Sequence, residues 1–370
     1  MRTSPAFVER SLLLIGFLLI FWQLIRIRSE LQTNEIVTET IMEKPGEEVV
    51  CKEKAKPFPK TNYFLSSRYH AVVSGGGLGN QLFELISIIG LASQLGRAPL
   101  IQATDTVLVK ELVNGILGRY PLILEQFSVK LVALAPFYAI PFNERDCCRA
   151  GNLTALEQYS ENQFLDLDGY YFQSFKYFHH IRPSVRRWLT PLPNHIKHAN
   201  RHLPDVNKKD FVICTHIRRG DFTEDGMHRP SDPNFTRKAT HSLAEKHSKG
   251  GRNVTVIVLG NDPLWAQTIF RDRVTVVDGF TISRKMGRDN FYNLVITPTL
   301  APEIDLAFSR KYCDVVLITA PSSTFGWWLG YVAKPKAVIY YRDIKDTEDS
   351  VLEEMNPEDF YPPEWIKLSI

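Results

Sequence analysis

The stretch FVICTHIRRGDFTEDGMHRP, residues 211–230, sets a histidine, two adjacent arginines and an aspartate at the end of an apolar run. Phe211, Val212, Ile213 and Cys214 read as a buried strand, and His216, Arg218, Arg219 and Asp221 follow at once. Buried polar groups left unpaired cost roughly 2–7 kcal/mol each, and charges more, so these must pair with one another or face a polar ligand. The carboxyl end of a strand is where open α/β sheets receive ligands. A planar guanidinium such as that of Arg218 can grip a diphosphate through two hydrogen bonds, with Asp221 holding one arginine in place. The competing reading is an Arg–Asp structural pair at a lobe edge. Arg219-Gly220-Asp221 also matches an integrin-recognition tripeptide, but behind a hydrophobic strand it is not expected to be displayed.

A second candidate is GGGLGN, residues 75–80. It is neither a Walker A sequence nor a clean dinucleotide fingerprint. It makes either a tight packing turn or a nest of backbone amides that receives a phosphate at a helix start. Asp166-Leu167-Asp168 has the spacing of a metal-holding carboxylate pair, but no further carboxylates or histidines cluster with it. It reads as a turn into GYYFQSFKYF, and no metal site is assigned. Without one, arginine and backbone amides would have to stabilise a departing diphosphate.

These groups need a scaffold. YHAVVSGGGLGNQLFELISIIGLASQLGRAPLI, residues 69–101, passes from a short β-branched run through the glycine turn into a helix with apolar residues at helical spacing, ending near Gly96. The same grammar returns at DFVICTHIRR, NVTVIVLGNDPLWAQTIF, RVTVVDG, YCDVVLITAPSSTFGWWLGYVA and KAVIYY. Two sets of βα units predict two Rossmann-like lobes with the site in the cleft between them. Within them Trp327 and Trp328 are expected in the core.

Lys and Arg number 44 against 41 Asp and Glu in 370 residues, so no global basic field points to nucleic acid. Ser11–Ile25 is fifteen uncharged residues flanked by arginines, a helix of roughly 22 Å at 1.5 Å per residue, short but usable as a membrane span. A cleaved signal peptide competes, but no small-x-small site follows, which favours an uncleaved anchor. Residues beyond it are charged and proline-bearing, as in a solvated stem. Three glycosylation sequons lie at Asn152, Asn234 and Asn253. Five cysteines leave one odd; Cys214 and Cys313 read as buried thiols, and the adjacent Cys147 and Cys148 as pairing elsewhere before pairing with each other.

GGGLGNQLFE, GYYFQSFKYF, HIRRGDF, VIVLGNDPLW, ITAPSSTFGWWLGYVA and PPEW occur in that order and together resemble the α-1,2-fucosyltransferases of glycosyltransferase family 11, from about residue 69 to the C-terminus. The resemblance implies an α/β, GT-B-type fold with an N-terminal anchor and stem, in a Golgi-resident, single-pass type II protein with a lumenal body. The expected divisions are a tail at 1–10, anchor at 11–25, stem at 26–66, acceptor-side lobe at 67–200, GDP-fucose-binding lobe at 201–345, and a C-terminal segment at 346–370 packing on the first lobe. It implies GDP-fucose as donor, a β-galactoside-terminated glycan on glycoprotein or glycolipid as acceptor, and inverting transfer without a metal or other cofactor. Arg218 resembles the arginine gripping the β-phosphate; His216, Asp221 and Asp262 resemble its donor-site neighbours. Asn80 is similar to the loop residue reaching the diphosphate from the first lobe. Asp305 resembles the carboxylate reading guanine, and Ser323 and Thr324 the hydroxyls at the phosphates. The competing readings are a helix-surface or capping charge for Asp305 and an ordinary cap for Ser323-Thr324. For the catalytic base the sequence offers Glu224 and Asp225. Two other functions fit: an inverting fucosyltransferase of another linkage, and a catalytically silent, membrane-tethered glycan-binding protein.

Overall fold

The computed structural model describes residues 61–370 apart from 131–137, 144–145, 204–208, 272–274, 278–279 and 283–290. The expected tail and anchor, most of the stem, and Cys51 lie outside the described residues. Within them no helix is long and apolar enough to cross a membrane.

The first sheet holds β1 (Phe64–Ser67), β2 (Ala98–Gln102), β3 (Ser128–Lys130), β4 (Tyr138–Pro141) and β5 (Phe164–Asp168), in the order β3-β2-β1-β5-β4 and parallel throughout. β1 begins ahead of the lobe boundary expected at residue 67. After it, residues 69–73 do not form the expected strand: His70–Val73 is one turn of helix. The reason is long-range. Glu84 in the following helix, α1 (Leu78–Gln94), is fully buried and accepts from the amides of Ala71 and Val72 at 2.9 and 3.2 Å, satisfying that turn's free N–H groups. Asp166 and Asp168 are likewise no turn but the end of β5.

The second sheet orders β13 (Ile366–Leu368), β12 (Val338–Arg342), β11 (Val315–Ile318), β6 (Phe211–Ile217), β7 (Val254–Gly260), β10 (Tyr292–Ile296), β9 (Phe280–Ile282) and β8 (Thr275–Val277). It is parallel from β13 to β10; β9 and β8 add antiparallel, so RVTVVDG supplies an edge strand and no βα unit. Helices α2 (Pro233–Ser248), α3 (Pro263–Ile269), α4 (Pro302–Tyr312) and α5 (Thr324–Val332) follow its strands. Asp232, Asp262 and Ser323 cap α2, α3 and α5, accepting from Phe235, Trp265 and Gly326 amides. This two-sheet, mostly parallel α/β architecture is GT-B-like.

Cys214 of β6 and Cys313, which ends α4, are not free thiols but a disulfide, their Cα atoms 5.6 Å apart. Cys147 and Cys148 are bonded to each other. Residues 346–370 first meet loops of the second half, where Asp349 accepts from the Arg229 amide at 3.0 Å and from Ser322 at 2.6 Å, and then reach the first half, where Asp359 bonds Lys176 at 2.5 Å and the Ala150 amide at 2.9 Å. They end as β13 on the edge of the second sheet.

α1 is apolar around nearly its whole circumference because it is covered on all sides. Phe83 packs on Trp327 and Trp328 of α5, ring centroids 4.6 and 5.1 Å away, and on Phe360 at 5.9 Å. Both tryptophans are fully buried core, as expected. At the start of the two helices Gly79 donates no side chain: a Cβ there would sit 2.7 Å from Thr324 Oγ1 and 2.8 Å from the Phe325 amide nitrogen, and the Trp328 indole donates to its carbonyl at 2.9 Å. Gly79→Ala should therefore lower stability by about 1–3 kcal/mol, since backbone cannot yield cheaply. Gly77→Ala, whose Cβ meets nothing within 4 Å, is the control expected to stay near wild type in thermal unfolding.

Candidate active site

The carboxyl ends of β6, β7 and β11, three adjacent strands inside the second sheet, open into a cavity of about 740 Å³. Gly77–Asn80 close it from the α1 side, with Tyr170, Tyr171 and Gln173 beside them, and Val351 and Glu354 reach it from the C-terminal segment. Its size suits a nucleotide-sized ligand.

His216 is the last-but-one residue of β6, between Leu259 of β7 and Ile318 of β11. Its ring lies on the cavity wall with neither nitrogen bonded among the described residues, and burial, then the Arg218 charge, pushes its pKa down to about 3. It is a neutral imidazole with hydrogen-bonding capacity to spare. A Cβ on Gly326 would sit 2.6 Å from its Nδ1, so the glycine lets α5 start directly against it.

Successive residues of an extended chain point to opposite sides, and the two arginines separate accordingly. Arg218 lines the cavity; one guanidinium nitrogen meets Asp221 at 2.6 Å and Nε has no partner among the described residues. Arg219 turns the other way, over the Trp265 ring at 4.4 Å, 3.4 Å from Asp262 and donating to the Ser231 carbonyl. Both readings of the arginines thus find a pair: Asp221 holds Arg218 at the cavity, and Arg219 with Asp262 is an Arg–Asp structural pair beside it. Arg219 is too engaged for the Arg-Gly-Asp tripeptide to be displayed.

Ser323, Thr324 and Asn80 also come to the wall. Ser323 is the cap of α5, as the simpler reading held, while Thr324 donates across to Asn80 Oδ1 at 2.7 Å. Gln173 donates to the same oxygen at 3.3 Å, which leaves the Asn80 amide N–H groups as donors. On the same wall, Asp305 in the first turn of α4 is buried, with Oδ1 unpartnered among the described residues. Burial, and secondly the charge of Glu303, raises its pKa to about 8. An unpaired buried carboxyl facing a cavity is a receptor for N–H donors.

Three expected residues fall elsewhere. Asp262 is off the cavity wall, occupied by its cap and by Arg219. Glu224 is exposed and Asp225 turns back on its own loop, so neither carboxylate lines the cavity. Asp166 accepts from Ser66 at 2.8 Å and Asp168 lies 3.6 Å from Arg68, both outside the cavity wall. Among the described residues no group of three or more His, Cys, Asp or Glu side chains could hold a metal. Asn152, Asn234 and Asn253 are all exposed; Thr154 is exposed too, whereas Thr236 and Thr255 are buried.

Sequence reasoning overlooked His228, Glu354, Gln173 and Cys147 on the wall. Tyr171 reaches it through a left-handed backbone, φ 56°, followed by Phe172 at φ 51°; such conformations are uncommon for aromatic residues and cluster at functional sites.

The model of glycosyl transferase family 11 matches residues 155–369. A galactoside 2-alpha-L-fucosyltransferase of Caenorhabditis elegans is 49% identical over 303 residues, 79% of this chain and 74% of that protein. A second C. elegans protein of the same name is 33% identical over 296 residues, 80% of this chain and 77% of its own length. Among solved structures, NodZ alpha-1,6-fucosyltransferase soaked with GDP-fucose aligns with a TM-score of 0.41 and 13% identity, covering 78% of this chain and 97% of that one, too distant to place any residue.

Asp305 gives the cavity a pH signature. If a purine donates N–H groups to it, the carboxylate is the binding form, and below pH 8 binding must expel the proton. GDP affinity should then climb between pH 6 and 8, by at most about tenfold per unit, and level off above. Calorimetry in buffers of differing ionisation enthalpy should show proton release at pH 6.5, absent in Asp305→Asn. A wild-type affinity flat from pH 6 to 8 would contradict this role.

Proposed function

The chain belongs to glycosyl transferase family 11, and from that premise we propose that it transfers L-fucose from GDP-fucose to the 2-hydroxyl of a galactoside, inverting the fucose anomeric carbon. The observation that carries the reading is one cavity wall that bears unlike groups. Asp305 offers an unpartnered buried carboxyl to it, and Arg218, the α5 start and Asn80 offer donors.

Guanine presents two adjacent N–H donors, at N1 and N2, that a carboxylate can accept together. The diphosphate then falls to Arg218, pre-oriented by Asp221, and to the α5 N-terminus, whose free amides and dipole favour an anion. The negative charge that develops on departing GDP meets donors already in place, which is worth about 10²–10³-fold in rate per donor. His216, neutral beside them, can bond the donor without adding charge. We read the transfer as metal-independent, since Arg218 and the helix amides supply the positive counterpart and Asp166 and Asp168 stand apart.

The body, on this reading, faces the Golgi lumen, tethered by Ser11–Ile25 as a type II anchor. Two disulfides and three sequons with exposed asparagines suit an oxidising, glycosylating compartment. The domain limits proposed are those expected from the sequence, with the acceptor-side lobe extended back to Phe64 to keep β1 whole: 64–200, then 201–345 for the donor lobe and 346–370 for the closing segment. Endoglycosidase-sensitive mass on Asn152, lost in Asn152→Gln, checks the lumenal placement.

The direct test is incubation of the purified chain with GDP-fucose and a β-galactoside panel, with product linkage and anomeric configuration read by NMR. An α-1,2 product is expected, surviving EDTA. Arg218→Ala should lose at least about 10²-fold in kcat, and Arg218→Lys should recover little because an ammonium lacks the two-pronged grip. Another linkage, or a chain that binds GDP but forms no product, would favour the two alternative functions.

A further inference from the structure

Inverting transfer needs a group to take the proton of the attacking hydroxyl, and neither Glu224 nor Asp225 stands on the cavity wall. His228 does. Its ring stacks on Phe222, centroids 4.2 Å apart and planes 19° from parallel. The Arg218 guanidinium carbon lies 5.0 Å from the centre of that same ring. The imidazole and the arginine proposed to grip the diphosphate are thus fixed to one aromatic side chain.

Asp225 determines which face of His228 is chemically available. Its Oδ2 is 2.7 Å from His228 Nδ1, and its Oδ1 accepts from the amides of Met227 and His228, each at 2.9 Å. Slight burial would raise its pKa, but the hydrogen bonds from His228 and Met227 outweigh that and hold the carboxyl below its usual range. An ionised carboxylate has no proton to give, so Nδ1 carries the hydrogen and donates it. In that tautomer Nε2 keeps its lone pair. A carboxylate fixing the tautomer of a neighbouring imidazole is a recurrent device for making a base.

We propose that His228 Nε2 is the general base for the acceptor hydroxyl and that Asp225 is the positioning residue that sets its tautomer; this rests on the fucosyl-transfer reading. The acceptor O–H bond breaks with its proton passing to Nε2. The oxygen's electron pair forms the new bond to the fucose anomeric carbon, opposite the leaving group. The bond from that carbon to the β-phosphate oxygen breaks with its electrons leaving on GDP, and the imidazolium then returns its proton to solvent. The other carboxyls on the wall are otherwise engaged: Asp221 is held by Arg218, and Asp305, in the α4 first turn, is the group proposed above to read guanine. Glu354 is the one rival among these carboxyls, reaching the wall from the C-terminal segment.

The test uses the full-length chain and three variants, His228→Ala, His228→Gln and Asp225→Asn, with Glu354→Gln alongside. GDP binding by calorimetry and thermal unfolding establish that each variant keeps its donor site. Both His228 variants should lose about 10²–10⁴-fold in kcat with GDP affinity changed less than about threefold, and added imidazole should restore part of the turnover of His228→Ala. Asp225→Asn should lower kcat by about 10²-fold or more with KM little moved, a split that a purely structural turn residue would not give. Turnover near wild type in His228→Gln, or loss of kcat in His228→Ala that imidazole does not relieve, overturns the dyad. Loss confined to Glu354→Gln assigns the base to Glu354. A wild-type chain that binds GDP and transfers nothing overturns the transferase reading first, and is told apart because the variants are then never distinguished from it.

Discussion

The site depends on the close approach of two helix N-termini. α1 and α5 arise from different sheets, and both begin at the cavity because Gly79 presents no side chain where Thr324 and Phe325 press against it. Behind that contact, Phe83, Trp327, Trp328 and Phe360 form a buried aromatic cluster that fixes the helices relative to one another. The Trp328 indole closes the seam by donating to the Gly79 carbonyl. A core that is close-packed transmits small displacements, so a shift at the seam is felt at the wall of the cavity.

The chemistry follows from what each element leaves unpaired. β6 delivers a neutral His216 and an arginine with free donor capacity, α4 delivers a carboxyl without a partner, and the α5 start delivers a helix terminus. Each would be costly in an empty interior, since buried polar groups without partners are destabilising. Their concentration around one cavity is intelligible if a ligand completes them. On the reading proposed above, a guanine nucleotide would do so, with N–H donors toward Asp305 and phosphate oxygens toward Arg218 and Thr324.

Much of this was legible in the sequence because it was encoded locally. An apolar strand that ends in HIRRGD, and a Ser-Thr pair that opens an apolar helix, announce their place whatever the rest of the chain does. What was illegible depended on distance or on direction. Nothing local says that Arg218 faces the cavity while Arg219 faces Asp262. The β-branched residues near Val72 favour a strand, and only Glu84, brought back by α1, turns them into helix. Cys214 meets Cys313 because α4 returns its end to β6, and Glu354 meets the cavity because the C-terminal segment folds across it. Nor does anything local say that the turn after HIRRGD aims Asp225 at His228 and not at the cavity.

If the seam assembles the donor site, the hydrogen bond from Thr324 to Asn80 should couple the two sides in ligand binding. GDP-fucose affinity measured for Asn80→Ala, Thr324→Val and the double variant isolates that coupling. Breaking the bond once should do most of the damage, so the double variant should bind about as weakly as the poorer single one, a non-additivity of about 1 kcal/mol or more. Losses that simply add, within about 0.3–0.5 kcal/mol, would mean that the two residues meet the ligand independently and that the seam does not build the site.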